Sequence, residues 1–219
     1  MGSEMCIRDS SWVVPRIVAF ARSDEPGAPL LAADQANGVV IALDERFNAV
    51  AVGATCPAPV ELVADGTDVR LLARTDAGEL LLQPLDARGS ARGAPTTLAF
   101  SDSTRGAALL DGVLYVGNRS GDRIDVFDRS LQSAQPSGSS SANRKWGETG
   151  ELDGQFYAPA GVTALDQQRI VVVDQGNHRA QIFAPDGSWL STFSLSSGYT
   201  VPRTPAEVDE PSDEQEHQP

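Results

Sequence analysis

Short apolar runs separated by polar turns recur along most of the chain. Four stretches, beginning at Leu30, Val69, Val113 and Arg169, each hold an apolar run, a polar residue, a Gly- or Asn-bearing turn and a second apolar run. The runs are short, rich in Val, Ile and Leu, and bounded by Gly, Asn and Asp, and no segment keeps a helical apolar period over a helix-length window. The pattern therefore predicts an all-β protein.

The polar residues that end the first apolar run of each stretch align with one another. They are Asp34, Arg74, Asn118 and Asp174, at intervals of 40, 44 and 56 residues. Another strand precedes each pair of runs and a fourth follows most pairs, and four antiparallel strands per roughly 40–45 residues is the period of a β-propeller blade. Continuous apolar runs such as 170–173 suit strands that are buried on both faces. We therefore predict a partial β-propeller of about four four-stranded blades.

The segments outside this pattern differ from it in composition. The predicted blades cover approximately 12–55, 56–100, 101–132 and 145–195, within a propeller region at 11–200. A Ser-, Gly- and Pro-rich insertion at 133–144 lengthens the last interval and is predicted to be flexible. The acidic, Pro-containing tail at 201–219 has no aromatic residue and is predicted to be disordered.

The first ten residues, MGSEMCIRDS, resemble a translated sequencing adapter, so we leave 1–10 out of the fold as we would any cloning scar. The expectation is that the natural chain extends upstream and that this sequence is a C-terminal fragment. Without Cys6, Cys56 stands alone, which leaves no internal disulfide and favours a small buried residue over a nucleophile.

Of the net charge of −13, −6 lies on residues 11–203, and this acidic body argues against nucleic acid as a partner, because phosphate binding normally needs a basic face. Residues 204–219 alone hold six acids and no Lys or Arg. No apolar run approaches the ~18 residues that a membrane span needs, so we predict no membrane segment in this chain. The localisation, extracytoplasmic or cytoplasmic in a bacterium, stays open.

The fourth stretch, from Lys145 to Phe193, resembles the NHL repeat. The likeness rests on Gly147, Gly150, Gly154, Phe156, Pro159, Gly161, Val162, Asp166, Val173, Asp174, Asn177, Arg179, Gln181, Phe183, Asp186 and Gly187. The third stretch keeps part of this pattern, and the first keeps Asp34 and Gln35. The resemblance implies an NHL-type propeller whose parent has six blades, so about two blades would be missing from this chain.

The polar cluster at 174–179 is interpreted as a hairpin between the second and third strands of a blade. Gly176 and Asn177 tolerate positive φ, as tight hairpins require. Weaker copies of the cluster occur in other stretches, as a structural device predicts, whereas a catalytic set would occur once. The predicted residues of this structural repeat turn are Asp34, Asn118, Asp174, Asn177 and Arg179.

The same turns share a face with the loops that lead into each blade, and loops on a rigid scaffold often carry function. The candidate partner-binding residues on this face are Arg119, Asp122, Trp146, Tyr157 and His178. Packing between blades is the competing interpretation for Trp146. His178 is the single histidine of the propeller region, which excludes a multi-histidine metal site there. We predict no catalytic residue, no cofactor and no metal ligand.

The leading hypothesis is a non-catalytic scaffold that binds a protein, peptide or glycan. The resemblance implies two alternatives. One is part of a metal-dependent lyase or lactone hydrolase, whose site would need the missing blades. The other is an RNA-binding NHL domain, which the acidic charge disfavours.

Overall fold

The computed structural model describes residues 14–99, 104–128, 139–141 and 144–194. The predicted adapter segment at 1–10 and the acidic tail at 201–219 lie outside the described residues. Of the insertion at 133–144, the structure describes only 139–141 and Arg144. No helix in the described part of the chain has the length and apolar character needed to cross a membrane.

The first half of the chain forms two sets of four consecutive antiparallel strands. The first sheet holds β1 (Ile17–Arg22), β2 (Leu30–Asp34), β3 (Val39–Leu43) and β4 (Ala49–Thr55). The second sheet holds β5 (Ala58–Asp65), β6 (Asp68–Arg74), β7 (Leu80–Leu85) and β8 (Thr96–Ala99).

The second half repeats this arrangement in two more sheets. The third sheet begins with β9 (Thr104–Leu110), β10 (Val113–Asn118) and β11 (Arg123–Phe127). Two short strands follow, β12 (Ser139–Ser141) and β13 (Arg144–Trp146). The fourth sheet holds β14 (Pro159–Asp166), β15 (Arg169–Asp174), β16 (Arg179–Phe183) and β17 (Trp189–Ser194).

The four aligned polar positions occupy the same place in each sheet. Asp34, Arg74, Asn118 and Asp174 each end the second strand of a sheet. Each is paired across the turn with the first residue of the third strand. The sequence repeat is therefore a structural repeat, and the predicted all-β fold with four propeller blades is confirmed.

Consecutive apolar residues of the middle strands are buried on opposite faces of a sheet. In β6, Leu71 packs in the core shared with the first sheet and Leu72 in the core shared with the third. In β10, Val116 faces the second sheet and Tyr115 the fourth. Because side chains alternate along a strand, a blade between two neighbours needs an unbroken apolar run.

The first strands of the four sheets lie side by side around a channel. β1 contacts β5, β5 contacts β9, and β9 contacts β14. A cavity of about 350 Å³ between them is lined by residues of all four strands. At Gly106 of β9 the φ angle is 112°, and a Cβ atom there would lie 2.8 Å from the Cα atom of Gly161 in β14. Glycine at this position therefore lets the third and fourth blades approach each other.

The segment between the third and fourth blades is arranged differently from the sequence pattern. β13 pairs with β11 and completes the third sheet, although residues 145 and 146 were expected to begin the fourth blade. β12, from within the predicted insertion, pairs in parallel with β8 of the second sheet. Strands of three residues are too short for an alternating pattern to show in the sequence, which is why neither was predicted.

The fourth sheet is well buried on only one face. Ile170 and Val172 pack in the core shared with the third sheet, whereas Val173 is 37% exposed. The prediction that the run at 170–173 is buried on both faces is therefore wrong for this chain. Among the described residues, no further sheet covers the second face.

Candidate partner-binding site at the channel mouth

One end of the channel opens into a cavity of about 730 Å³, called the mouth below. The starts of the first strands and the turns between second and third strands surround it. Its polar lining comes from the first three blades and includes Arg16, Gln35, Glu61, Arg74, Thr104 and Arg119. This is the face on which the sequence places the candidate partner-binding residues.

Asp174, at the end of the second strand of the fourth blade, is hydrogen-bonded to the lead-in loop, the turn and the third strand. Its carboxylate is fully buried and accepts hydrogen bonds from the Tyr157 amide at 2.8 Å and the Asn177 side chain at 2.8 Å. The Arg179 guanidinium (2.8 Å) and the Gln181 amide (3.3 Å) donate to the same carboxylate. Arg179 also donates to backbone carbonyls of the segment at 151–155. These bonds fix the turn and the lead-in loop to one another.

The first blade uses the same device. The Asp34 carboxylate accepts hydrogen bonds from the Arg16 amide at 2.9 Å, the Ala36 amide at 3.0 Å and the Asn37 side chain at 2.6 Å. Burial opposes ionisation of Asp34, but these hydrogen bonds outweigh it, so the pKa of the carboxyl lies below its usual value.

In the third blade the acid and the amide exchange places. Asn118 ends the second strand, and its side-chain amide donates to Asp125 of the third strand at 2.7 Å. Arg123 donates to the same carboxylate at 2.9 Å. In the fourth blade the acid, Asp174, lies on the second strand and the amide, Gln181, on the third. The second blade departs further, because Arg74 at this place donates to the Gly78 carbonyl of its own turn.

In the turn of the fourth blade, His178 is the residue whose backbone adopts the left-handed conformation. Gln175–Asn177 form a single 3₁₀ turn, and His178 follows with a φ of 52°. The expectation that Gly176 and Asn177 supply the positive φ is therefore wrong. Gly176 is required for another reason: a Cβ atom there would overlap the ring and the carbonyl oxygen of Tyr157. Gly38 and Asp122 hold the left-handed place in the first and third turns.

Tyr157 and His178 are both exposed, one in the lead-in loop of the fourth blade and the other in its turn at 175–178. The Tyr157 side chain is 57% exposed, its carbonyl accepts a hydrogen bond from the Gly176 amide at 2.8 Å, and its ring lies against Gly176. His178 lies two residues after Gly176 and is exposed. Arg119 is half-buried and lines the mouth cavity itself.

Two other predicted binding residues are engaged within the protein. Asp122 accepts hydrogen bonds from the Thr149 hydroxyl and the Ala158 amide, both at 2.8 Å, and thus ties the third turn to the fourth lead-in. The Trp146 ring packs 4.6 Å from the Phe183 ring and 6.1 Å from the Phe156 ring, measured between centroids. Trp146 therefore joins the third and fourth blades, as the competing interpretation holds.

Sequence reasoning missed Glu61 and Thr104 in the mouth. Burial raises the pKa of Glu61 to about 7. Thr104 is 7% exposed, and its hydroxyl has no hydrogen-bond partner among the described residues. A signal for Glu61 was available, because it is an acid inside the apolar first strand PVELVAD. Thr104 gave none, since threonine is common in strands.

Two curated proteins match short parts of the chain. Protein brain tumor of Drosophila melanogaster is 45% identical over 49 residues, which is 22% of this chain and 5% of that protein. B-box type zinc finger protein ncl-1 of Caenorhabditis elegans is 49% identical over 43 residues, 20% of this chain and 5% of that protein. Both contain NHL repeats. No protein-family profile matches the chain.

Solved structures match over most of the chain. A streptogramin B lyase is 14% identical with a TM-score of 0.57, covering 84% of this chain and 57% of that one. The WD40 repeats of RRP9 are also 14% identical with a TM-score of 0.57, covering 84% and 52%. Hydrazine synthase of Kuenenia stuttgartiensis is 16% identical with a TM-score of 0.56, covering 85% and 51%. The chain has the fold of a β-propeller.

This propeller spans about half the length of those solved chains, and at such low identity they show the fold alone. Within the described residues of the propeller, no group of three or more His, Cys, Asp or Glu is arranged to hold a metal ion. Cys56 is half-buried, and burial raises the pKa of its thiol to about 11. The thiol is therefore protonated near neutral pH and is a poor nucleophile.

Proposed function

We propose that this propeller segment is a non-catalytic binding module whose protein, peptide or glycan partner contacts the mouth. The observation that carries the proposal is Tyr157. Its ring is largely exposed, while its backbone is held by hydrogen bonds to Asp174 and Gly176. An exposed aromatic ring on a fixed backbone offers a large contact area and loses little conformational freedom on binding.

His178 supports the same surface. A side chain other than glycine in the left-handed conformation costs about 1–2 kcal/mol, and such residues cluster at functional sites. His178 holds this conformation with a φ of 52° and is exposed in the turn between the second and third strands of the fourth blade. Glycine holds the corresponding place in the first blade, at Gly38, so the fold itself does not require a side chain there.

The proposal is tested with a double variant, Tyr157→Ser with His178→Asn. Asparagine tolerates the left-handed conformation, so the turn should be preserved. We expect capture of the partner from a lysate of the source organism, quantified by mass spectrometry, to fall by about tenfold or more, as for an interface hot spot. The midpoint of thermal unfolding should stay within a few degrees of the parent value.

The matched control is Leu165→Ser, which removes an exposed apolar side chain at the opposite end of the channel. It should leave partner capture unchanged. Equal loss in the control and in the double variant would contradict a binding surface at the mouth. Capture that is unaffected by Tyr157→Ser with His178→Asn would do the same.

A further inference from the structure

Three arginines from three different blades line the mouth. Arg16 immediately precedes β1, Arg74 ends β6, and Arg119 follows β10. They lie 58 and 45 residues apart in sequence and meet only because the blades place the ends of their strands around one opening. Such a ring of guanidinium groups concentrates positive charge in an otherwise acidic protein.

None of these three arginines has a carboxylate within ion-pair distance among the described residues. By contrast, Arg70, Arg123, Arg169 and Arg179 each form an ion pair with an aspartate. Arg74 donates to the Gly78 carbonyl through one of its nitrogens. The other N–H groups of that guanidinium can still donate to a ligand. The side chains of Arg16 and Arg119 have no hydrogen-bond partner in the described parts of the chain.

Thr104 supplies a second, independent sign of a ligand. Its side chain lines the same cavity and is more than nine-tenths buried, yet its hydroxyl has no partner among the described residues. Leaving a buried hydroxyl without a hydrogen bond is costly, so such a group commonly awaits a water molecule or a ligand. A hydroxyl can donate to an anion that the arginines hold.

We propose that the mouth is an anion-binding pocket that takes the carboxylate groups of an acidic segment of the partner. Guanidinium groups bind carboxylates through paired, charge-assisted hydrogen bonds, and the Thr104 hydroxyl adds a further donor. The cavity of about 730 Å³ has the size of a pocket for a few side chains or a small molecule. The inference rests on the proposed function and names the chemistry of the partner.

The test uses the full chain and isothermal titration calorimetry at low ionic strength. One titrant is a hexaglutamate peptide and the other is citrate, which carries free carboxylates without a peptide backbone. We expect the peptide to bind and Arg119→Gln to weaken its binding by about tenfold, the effect of losing one charge-assisted contact. Arg46→Gln removes the same charge from an exposed turn outside the mouth and should change binding by less than about twofold.

A substitution that leaves the charge unchanged separates the contribution of the Thr104 hydroxyl from that of the arginine charges. Thr104→Val keeps the shape of the side chain and removes the buried hydroxyl that lacks a partner. We expect peptide binding to weaken several-fold while the midpoint of thermal unfolding stays constant or rises, because the folded protein loses an unsatisfied polar group. A lower midpoint with unchanged peptide binding would show that the Thr104 hydroxyl serves the fold and would remove it from the pocket.

Glu61 is the one carboxylate in the described lining of the mouth, and the charged groups that line the cavity with it are Arg16, Arg74 and Arg119. With a pKa raised to about 7, Glu61 is ionised at about pH 8 and neutral at about pH 5.5. Glu61→Gln should therefore strengthen peptide binding at the higher pH by a few-fold and leave it nearly unchanged at the lower pH. Equal effects at both pH values would contradict this arrangement.

The results also separate the anion pocket from the proposed function. Tighter binding of citrate than of the peptide would identify a free small molecule as the source of the carboxylates. Failure of both titrants, equal loss in Arg119→Gln and Arg46→Gln, or tighter binding of a single-stranded RNA of similar charge would overturn the pocket. A partner captured through Tyr157 but insensitive to Arg119→Gln would leave the proposed function intact and reject the pocket alone.

Discussion

Asp174 and Gln181 of the fourth blade correspond to Asn118 and Asp125 of the third, with the acid and the amide exchanged. In both blades an arginine that begins the third strand donates to whichever residue is the acid. One negative charge per turn is therefore kept while its position moves between two strands. The carboxylate is the buried partner in both pairs, and breaking such an ion pair would leave a buried charge unpaired.

Asp174→Asn should lower the free energy of unfolding by about 3 kcal/mol. The side chains of Asn177, Arg179 and Gln181 would then lose the buried carboxylate to which they donate. Adding Gln181→Asp should restore part of this loss, since the double variant copies the arrangement of the third blade. Urea-induced unfolding of the parent and the variants measures both effects.

The control for these variants is Asp166→Asn, which removes an exposed carboxylate paired with Arg169. Exposed ion pairs contribute little to stability, so the urea midpoint should barely move. If Gln181→Asp gave no recovery of stability in the Asp174→Asn background, the two positions would not be interchangeable for the acid, which would contradict this interpretation.

At the scale of elements, each turn between second and third strands needs a left-handed residue, but the residue type differs. Gly38 occupies this place in the first blade, Asp122 in the third and His178 in the fourth. Asp122 offsets the conformational cost with two hydrogen bonds to the neighbouring lead-in. His178 has no comparable side-chain bond among the described residues, which leaves its conformation without structural compensation.

Glycine substitution should therefore act in opposite directions in the two turns. His178→Gly should raise the free energy of unfolding by up to about 1 kcal/mol, because glycine adopts positive φ without strain. Asp122→Gly should lower it by about 1–2 kcal/mol, through loss of the two hydrogen bonds. Thermal unfolding followed by circular dichroism checks the signs. A stabilising Asp122→Gly would mean that its hydrogen bonds contribute nothing.

At the scale of the whole molecule, the blades dock through backbone as well as side chains. Gly106 lies against Gly161 of the next blade, so a methyl group at 106 would force the two first strands apart. Gly106→Ala should lower the free energy of unfolding by about 3 kcal/mol, through overpacking together with the positive φ. The loss should appear as separate unfolding of the fourth blade in hydrogen exchange.

Gly66→Ala is the matched control, because Gly66 also has a positive φ, of 60°, and a Cβ atom there would meet nothing within 4 Å. It should show only the smaller conformational cost, about 1 kcal/mol. Equal losses in Gly66→Ala and Gly106→Ala would show that close approach of the blades adds nothing to stability.

The repeat could be predicted because its signals are local. A run such as that at 113–118, the polar residue that ends it and the turn that follows are neighbours in sequence, and strand and turn preferences act over a few residues. β12 and β13 escaped prediction because three residues do not show a period. The left-handed place was assigned to Gly176 and Asn177 instead of His178, since composition identifies a turn but not which of its residues has positive φ.

The sequence by itself determined the blade repeat, its second and third strands and the polar residue before each turn, because these depend on contacts within about 20 residues of chain. Only the tertiary structure decided what the mouth contains. Arg16, Arg74 and Arg119 belong to different repeats, and Thr104 and Glu61 are inconspicuous in their own strands. Their meeting depends on how whole blades are arranged around the channel, and no local pattern records that arrangement.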